Sequence, residues 1–331
     1  MKIFRCLCIL LFVQLVWSQN ETNFADKPVF RDPVYDGAAD PCIVWNPNDE
    51  LLYMFYTNRR ANQDSIPGVS WVHGTDIGIA VSKDGGNHWT YQGICNIDYK
   101  PDTSPTYWAP EVILNDGTFH MYLTYVPGIF TDWYHPRQII HLTSDNLTEW
   151  TYQSTLELAS ERCIDADVIA LPEGGWRMFY NNENDGKSIY YTDSNDLYTW
   201  NNKSKKAVAE RGEGPVVFHW KGKYRMICDS WRGLSVYSSD DLSTWSKQEN
   251  NILKEPGKGI DDGVKGGHPD VLVLANKAYV FYFTHPGRIP ENEGLDIPET
   301  RRSSIQVAEL ELDMNSGFIT CDRDKRIHLK E

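Results

Sequence analysis

Four short polar turns in this 331-residue chain each end in tryptophan: Ser82-Lys-Asp-Gly-Gly-Asn-His-Trp89, Thr143-Ser-Asp-Asn-Leu-Thr-Glu-Trp150, Asp193-Ser-Asn-Asp-Leu-Tyr-Thr-Trp200 and Ser238-Ser-Asp-Asp-Leu-Ser-Thr-Trp245. The tryptophans stand 61, 50 and 45 residues apart, and each follows a run rich in β-forming residues. Repetition at that period leaves few folds open, because a four-stranded sheet takes about 40–50 residues and repeats of that length stack radially into a propeller. An indole placed after a tight turn has a ready structural use: it packs between neighbouring blades and buries a large area.

The strands can be read in register with those turns. Five segments alternate aromatic and β-branched residues after a Gly, Asn or Asp turn: Leu52–Thr57, His120–Tyr125, Trp176–Tyr180, Tyr224–Cys228 and Ala278–Phe283. Five more precede them and align with one another: Asp40-Pro-Cys-Ile-Val44, Ala109-Pro-Glu-Val-Ile113, Asp165-Ala-Asp-Val-Ile169, Glu213-Gly-Pro-Val-Val217 and His268-Pro-Asp-Val-Leu272. Five copies predict an all-β chain, a five-bladed β-propeller with four-stranded antiparallel blades near residues 38–95, 107–157, 163–208, 213–253 and 268–315. The fifth copy lacks the tryptophan turn and ends in Ser304–Leu312.

Residues 1–18 carry Lys2 and Arg5 before an apolar stretch from Cys6 to Trp17, too short for a membrane span and flanked like a signal peptide. The expected product is a single domain of residues 19–331, exported to the periplasm or secreted, a monomer or weak homo-oligomer. A formal net charge of −14 disfavours nucleic acid and anionic membrane as partners, since both call for a basic patch. A neutral carbohydrate suits such a surface, and a polyanionic glycan would need a locally basic pocket set into it. Beyond the leader, Cys42, Cys95, Cys163, Cys228 and Cys321 show neither zinc spacing nor a disulfide framework, and buried thiols are expected at Cys42, Cys163 and Cys228. Asn20, Asn146 and Asn202 begin sequons, which matter only in a eukaryotic secretory pathway.

The aligned first positions of the inner strands are Asp40, Ala109, Asp165, Glu213 and His268, and four of them are ionisable. Like charges around one axis raise each other's pKa and cost free energy, and local choices that work against stability mark function. Three carboxylates around one mouth suit glycoside chemistry: one activates water, one protonates the leaving oxygen and a third tunes the acid. Glu213, beside Gly214, is the acid candidate, Asp40 the base and Asp165 the modulator. Trp71, His73, Trp108, Trp133, His135, Arg137, Asn182, Trp231 and Arg232 follow strand ends on loops expected to ring the mouth, where aromatic faces stack on sugars and Arg or His bind acidic groups. Glu111, at the aligned third position, joins them as a substrate-binding candidate.

In these segments the chain resembles the five-bladed enzymes of glycoside hydrolase family 43 and relatives such as family 117. Ala39-Asp40-Pro41, Trp108-Ala-Pro110, Ile164-Asp165, Glu213-Gly-Pro215 and Gly267-His268 appear in order, one per blade, over roughly residues 28–315. The resemblance implies Asp40 as base, Asp165 as pKa modulator and Glu213 as acid, while family 117 implies a histidine acid, so His268 competes with Glu213. It also implies that His268 faces a calcium or other cation in the channel; no cofactor is otherwise required. Ser82-x-Asp84-x-Gly86-x-x-Trp89 resembles the Asp-box turn of sialidase-type propellers, a structural turn remote from their active sites. Ala166 replaces the proline usual in family 43, and Gly68–Gly74, Val126–Trp133 and Thr284–Arg288 match none of its signatures. The resulting expectation is a glycosidase acting on terminal sugars of plant or algal oligosaccharides, with a uronate lyase or dehydratase as the alternative and a non-catalytic glycan-binding propeller as the third.

Overall fold

The computed structural model describes residues 24–100 and 104–329; the expected signal peptide and the Asn20 sequon lie outside them. The first blade contains β1 (Ala38–Asn46), β2 (Leu51–Asn58), β3 (Asp76–Ser82) and β4 (Thr90–Ile94), and a short β5 (Asn96–Asp98) follows it. The second contains β6 (Thr106–Asn115), β7 (Thr118–Val126), β8 (Gln138–Ser144) and β9 (Glu149–Thr155). The third contains β10 (Cys163–Ala170), β11 (Trp176–Asn182), β12 (Ser188–Ser194) and β13 (Lys205–Val208). The fourth has β14 (Glu213–Trp220), β15 (Lys223–Asp229), β16 (Leu234–Ser239) and β17 (Ser246–Lys247). The fifth has β18 (Gly267–Leu274), β19 (Lys277–Thr284), β20 (Ser304–Leu312) and β21 (Ile319–Cys321), so it runs past the limit of 315 read from sequence.

Within each blade the strands pair antiparallel in chain order, and the five first strands neighbour one another in a closed ring. This is the five-bladed propeller that the repeats predict. Sheets stacked face to face bury both surfaces, which is why β2, β7 and β19 are buried along almost their whole length and read as aromatic runs instead of alternating with polar residues. The five cysteines are unpaired thiols, with Cys42, Cys95, Cys163 and Cys228 buried.

The tryptophan turns bind the ring together. The indoles of Trp89, Trp150, Trp200 and Trp245 meet Phe281, Phe55, Tyr122 and Phe179 edge-on, with ring centroids 5.4–6.1 Å apart. Each partner lies on the second strand of the preceding blade. The equivalent residue of blade four is the aliphatic Ile227, and the blade that would face it is the one without a tryptophan turn. The turns themselves are closed by side chains: Ser144 and Ser194 accept from the amides of Leu147 and Leu197 at 2.9 and 3.0 Å, and Ser239 accepts from the Asp241 amide at 3.1 Å.

The seam between blades one and five is closed differently. Phe30 pairs with Ile305 on β20 and Gly37 with Ser303 just before it, the Ala25 amide donates to the Ile327 carbonyl, and Leu329 donates to Asn87 Oδ1. Segments from both ends of the described chain thus fill this seam around Val29, Phe30, Ile327 and Leu329.

Candidate active site

Each first strand breaks register at the same place: between Ala39 and Cys42, Trp108 and Glu111, Ile164 and Asp167, Glu213 and Val216, and Gly267 and Asp270. The first bulged residue is left-handed in every blade, with φ of 51° at Asp40, 44° at Ala109, 58° at Asp165, 53° at Gly214 and 31° at His268. Such backbone costs about 1–3 kcal/mol for a residue with a side chain and persists where the surroundings impose it. The shared bulge also corrects the sequence alignment. The counterpart of Asp40, Asp165 and His268 in blade four is Gly214, and Glu213 stands one residue earlier. The His268 ring lies across Gly214, where a Cβ would come within 2.8 Å of the ring, so no side chain fits there and the preceding residue supplies the carboxylate.

Bulging frees an amide in each strand, and a freed amide must find an acceptor. The preceding blade provides it: Ala109 N–H donates to Thr57 Oγ1, Asp165 N–H to Thr124 Oγ1, Gly214 N–H to Asp165 Oδ2 and His268 N–H to Asp229 Oδ2, at 2.8–3.1 Å. A second tier follows two residues along. Cys42 Sγ, Glu111 Oε1, Asp167 Oδ2 and Asp270 Oδ2 accept from Val112, Val168, Val217 and Ile43 of the next blade at 2.6–3.2 Å. Blade four has Val216 at this position and lacks the bond.

Above these tiers lies a cavity of about 510 Å³, lined by Asp40, Asp165, Glu213, Asp229 and His268 below and by Trp71, Trp108, Trp133 and Trp231 at the sides. Asp40 takes both oxygens to Arg59 Nη2, at 2.8 and 2.9 Å, and its Oδ1 lies 3.4 Å from His268 Nδ1. Burial works to raise Asp40, but Arg59 and His268 outweigh it and hold the group below the usual carboxylate range. Asp165 is pushed up, first by burial and then by Glu213 and Asp40. Burial opposes charge on His268, and Asp40, Asp165, Glu213 and Asp229 overcome it to raise its pKa. Glu213 Oε2 accepts from Lys187 Nζ at 2.8 Å; Lys187 also pairs with Glu183 at 2.8 Å, and Glu183 pairs with Arg137 and Arg162.

The structure therefore gathers Asp40, Asp165, Glu213, His268, Trp71, Trp108, Trp133, Arg137 and Trp231 around one cavity. It does not bring the other candidates there. Glu111 stands in the second tier, where its carboxylate serves the Val168 amide. His73 is packed among Trp108, Phe130 and Trp133, with its pKa lowered to about 4 by burial and by Arg137. Asn182 is buried and accepts from Ser160 Oγ. His135 lies against Phe130 outside the cavity, and Arg232 is exposed away from it. The sequence reading missed Arg59, Lys187, Glu183, Asp229, Lys265, His285 and Arg288, all of which line the cavity. Asp229 had a signal: Thr57, Thr124, Asn181 and Asp229 are polar residues near the ends of the second strands, each paired with the residue before the bulge.

A cation at His268 would need further ligands. Among the described residues no group of three or more His, Cys, Asp and Glu side chains is placed to hold a metal ion, and His268 Nδ1 is turned to Asp40. The described side chains at His268 do not fit a protein cage for a cation.

The family model of the BNR repeat-like domain matches residues 73–314. The chain belongs to the BNR repeat-like domain family. No curated protein matches it in sequence. This BNR-like propeller superposes on a thermostable family 43 glycoside hydrolase with a TM-score of 0.67 at 17% identity, covering 91% of this chain and 99% of the other. A family 43 β-1,3-galactosidase with galactodeoxynojirimycin gives 0.65 at 15% identity, over 88% and 96%. A family 43 enzyme from Xanthomonas citri complexed with xylose gives 0.64 at 15% identity, over 88% and 93%. At these identities the likeness establishes the five-bladed fold that family 43 shares with this chain.

Proposed function

We propose that this BNR-like propeller is an exported glycoside hydrolase that removes terminal sugars from plant or algal oligosaccharides with inversion. One observation carries the reading: Asp40, Asp165 and Glu213 meet in a single cavity walled by four tryptophans. Indole faces stack on sugar rings, and the carboxylates supply a base, an acid and a group to tune the acid. The fold shared with sugar-cleaving enzymes supports the assignment by analogy.

Asp40 is held ionised and suits the base. It takes a proton from water as the water oxygen attacks the anomeric carbon. Glu213 gives its proton to the glycosidic oxygen as the carbon–oxygen bond breaks. Lys187 occupies only Oε2 of Glu213, and Oε1 has no protein partner among the described residues, which leaves it for the leaving oxygen. Asp165 receives the amide of Gly214, the residue after Glu213, and so fixes the backbone of the acid as well as its electrostatic surroundings. His268, with Nδ1 toward Asp40, orients the base. Base and acid come from blades one and four, which are not adjacent in the ring, as an inverting enzyme requires if water is to stand between base and sugar.

Elimination on the same scaffold needs a neutral His or Tyr base near the sugar. His73 and His135 lie outside the cavity, His268 is held toward its charged form, and the uncharged His285 has both ring nitrogens engaged, by the Arg302 carbonyl and by Arg59, so hydrolysis is the better-supported reaction. The test is incubation with agar, carrageenan, ulvan, xylan and pectin oligosaccharides, read by mass. Hydrolysis releases a sugar residue, whereas an 18 Da loss or absorbance near 235 nm identifies elimination. Asp40→Asn and Glu213→Gln should abolish release; undiminished cleavage by both variants would refute the assignment.

A further inference from the structure

The cavity has an uneven distribution of charge. On the side of blades three and four, Lys187, Arg137 and Arg162 are engaged with Glu183 and Glu213 in one continuous ion-pair network. On the side where blades five and one meet, Arg59 and Arg288 face Asp40 as the carboxylate lining the cavity, while Asp296 acts on Arg288 from outside it. Arg59 is fixed on every face. Asp40 takes its Nη2, its Nη1 lies 3.3 Å from His285 Nε2, and its guanidinium sits 4.8 Å above the Phe283 ring. His285 in turn has Nδ1 2.9 Å from the Arg302 carbonyl, which makes Nδ1 the protonated nitrogen and leaves Nε2 to accept from Arg59. Burial and the neighbouring Arg288 and Arg59 keep this imidazole uncharged.

Arg288 completes the group from the loop after β19. Its Nε donates to the Thr300 carbonyl at 3.0 Å. Among the described residues it forms no ion pair, and neither Nη1 nor Nη2 has a protein partner. It lines the cavity and lies close enough to Arg59 for burial and that second guanidinium to lower its pKa to about 10. A pinned guanidinium beside one with two free amino groups is a fork with its fixed half already in place. Guanidinium forks pair with planar or tetrahedral oxyanions through two parallel hydrogen bonds.

We propose that the blade five–blade one side of the cavity is a subsite for an oxyanion borne by the sugar, a uronate carboxylate or a sulfate ester, with Arg288 as its direct ligand and Arg59 and His285 as its support. The inference rests on the reading of this cavity as a sugar site and names the class of sugar. The protein carries a net charge of −14, so its outer surface repels a long polyanion while the surplus cation is confined to the cavity. The fitting ligand is one acidic residue at the end of a chain.

The test is calorimetric titration of the full chain with D-glucuronate, D-galacturonate and galactose 6-sulfate against glucose and galactose, for the wild-type protein and Arg288→Gln. At least one acidic sugar should bind about tenfold or more tightly than its neutral parent, the range expected of a charge-assisted hydrogen bond. The carboxylate and sulfate arms tell the two sources apart. Arg288→Gln should remove the preference while changing neutral-sugar affinity less than about twofold, and an unchanged melting curve shows that it folds. Equal binding of acidic and neutral sugars, no binding of any acidic sugar, or a preference that survives Arg288→Gln would overturn the proposal. The measurement needs no turnover. An Arg288-dependent preference in a protein that cleaves no glycan would sink hydrolysis and leave the subsite standing, while cleavage of neutral glycans without the preference would do the reverse.

Discussion

Two tiers of acidic side chains stand on the same five strands, two residues apart, and their circumstances differ in kind. In the cavity tier, Asp40 and Glu213 are matched to cationic side chains, Arg59 and Lys187, and only Asp165 takes an amide of the next blade, that of Gly214. In the tier below, Glu111, Asp167 and Asp270 are matched to backbone amides of the next blade. A carboxylate facing a side chain can change partners when a ligand arrives. One that satisfies a fixed amide is part of the frame, and removing it orphans a buried donor. The same bulge thus produces both a reactive surface and a structural collar, and position along the strand decides which.

The largest contrast should appear in activity. Asp40→Asn is expected to reduce kcat/KM about 10²–10⁴-fold, the usual contribution of a general base, while Asp167→Asn changes it less than about threefold; steady-state kinetics on whichever glycan is cleaved would show the divide, and comparable losses in both would erase the distinction between tiers. Gly214→Ala strikes where the tiers meet. Its Cβ would press on the His268 ring at 2.8 Å from a backbone with φ of 53°, so a stability loss of about 1–3 kcal/mol and weakened activity are expected together, read by urea denaturation and kinetics.

The pH dependence of stability reports the lower tier. Burial pushes Asp270 up to about 6 from 3.8. The folded chain therefore holds that proton more tightly than the unfolded chain does. The contribution is complete below about pH 4 and is lost as pH rises through 6. Glu111 and Asp167 are raised by burial as well, so their contributions have the same sign. Asp270→Asn should flatten the decline of the urea midpoint between pH 4 and 7, and an unaltered slope would place the titration elsewhere. Glu111→Gln should do least. It keeps an acceptor for the Val168 amide and gives up only a charge, so the unfolding free energy at pH 8 should stay level or rise by less than about 1 kcal/mol, with sugar affinity unchanged. A fall in affinity would return Glu111 to the ligand-binding side.

The fold was readable because the repeat is a packing device. Trp89, Trp150, Trp200 and Trp245 recur where an indole must reach the preceding blade, and that need imposes a period on the sequence. The inner strands followed from the same register, and with them Asp40, Asp165 and His268. Glu213 was found by type although its alignment was one residue off, because a bulge leaves the string of residues intact and changes only which of them face one another. Arg59 and Lys187 left no trace, and Arg288 only as the end of Thr284–Arg288, a segment that matches no family 43 signature. They follow or join strands without any repeat to mark them, and their significance lies in partners from other strands and blades, Glu213 for Lys187 and His285 for Arg59, or in amino groups left unpaired, as in Arg288. His73 and Asn182 misled for the converse reason: residues that follow strand ends include those folded under the loops as well as those presented by them.

Ring closure has a consequence for how the molecule yields. Among the described residues no strand is shared between the first and last blades, and the seam holds by the strips of residues 24–37 and 322–329 and by contacts reaching across from each side. Two of those contacts belong to the cavity itself, Asp40 with His268 and Arg59 with His285. Whatever sits between them acts as a rivet. Bound sugar should slow hydrogen exchange first at the amides of β1 and β18, and a protein pulled apart from its ends should part along the line that crosses its own reaction centre.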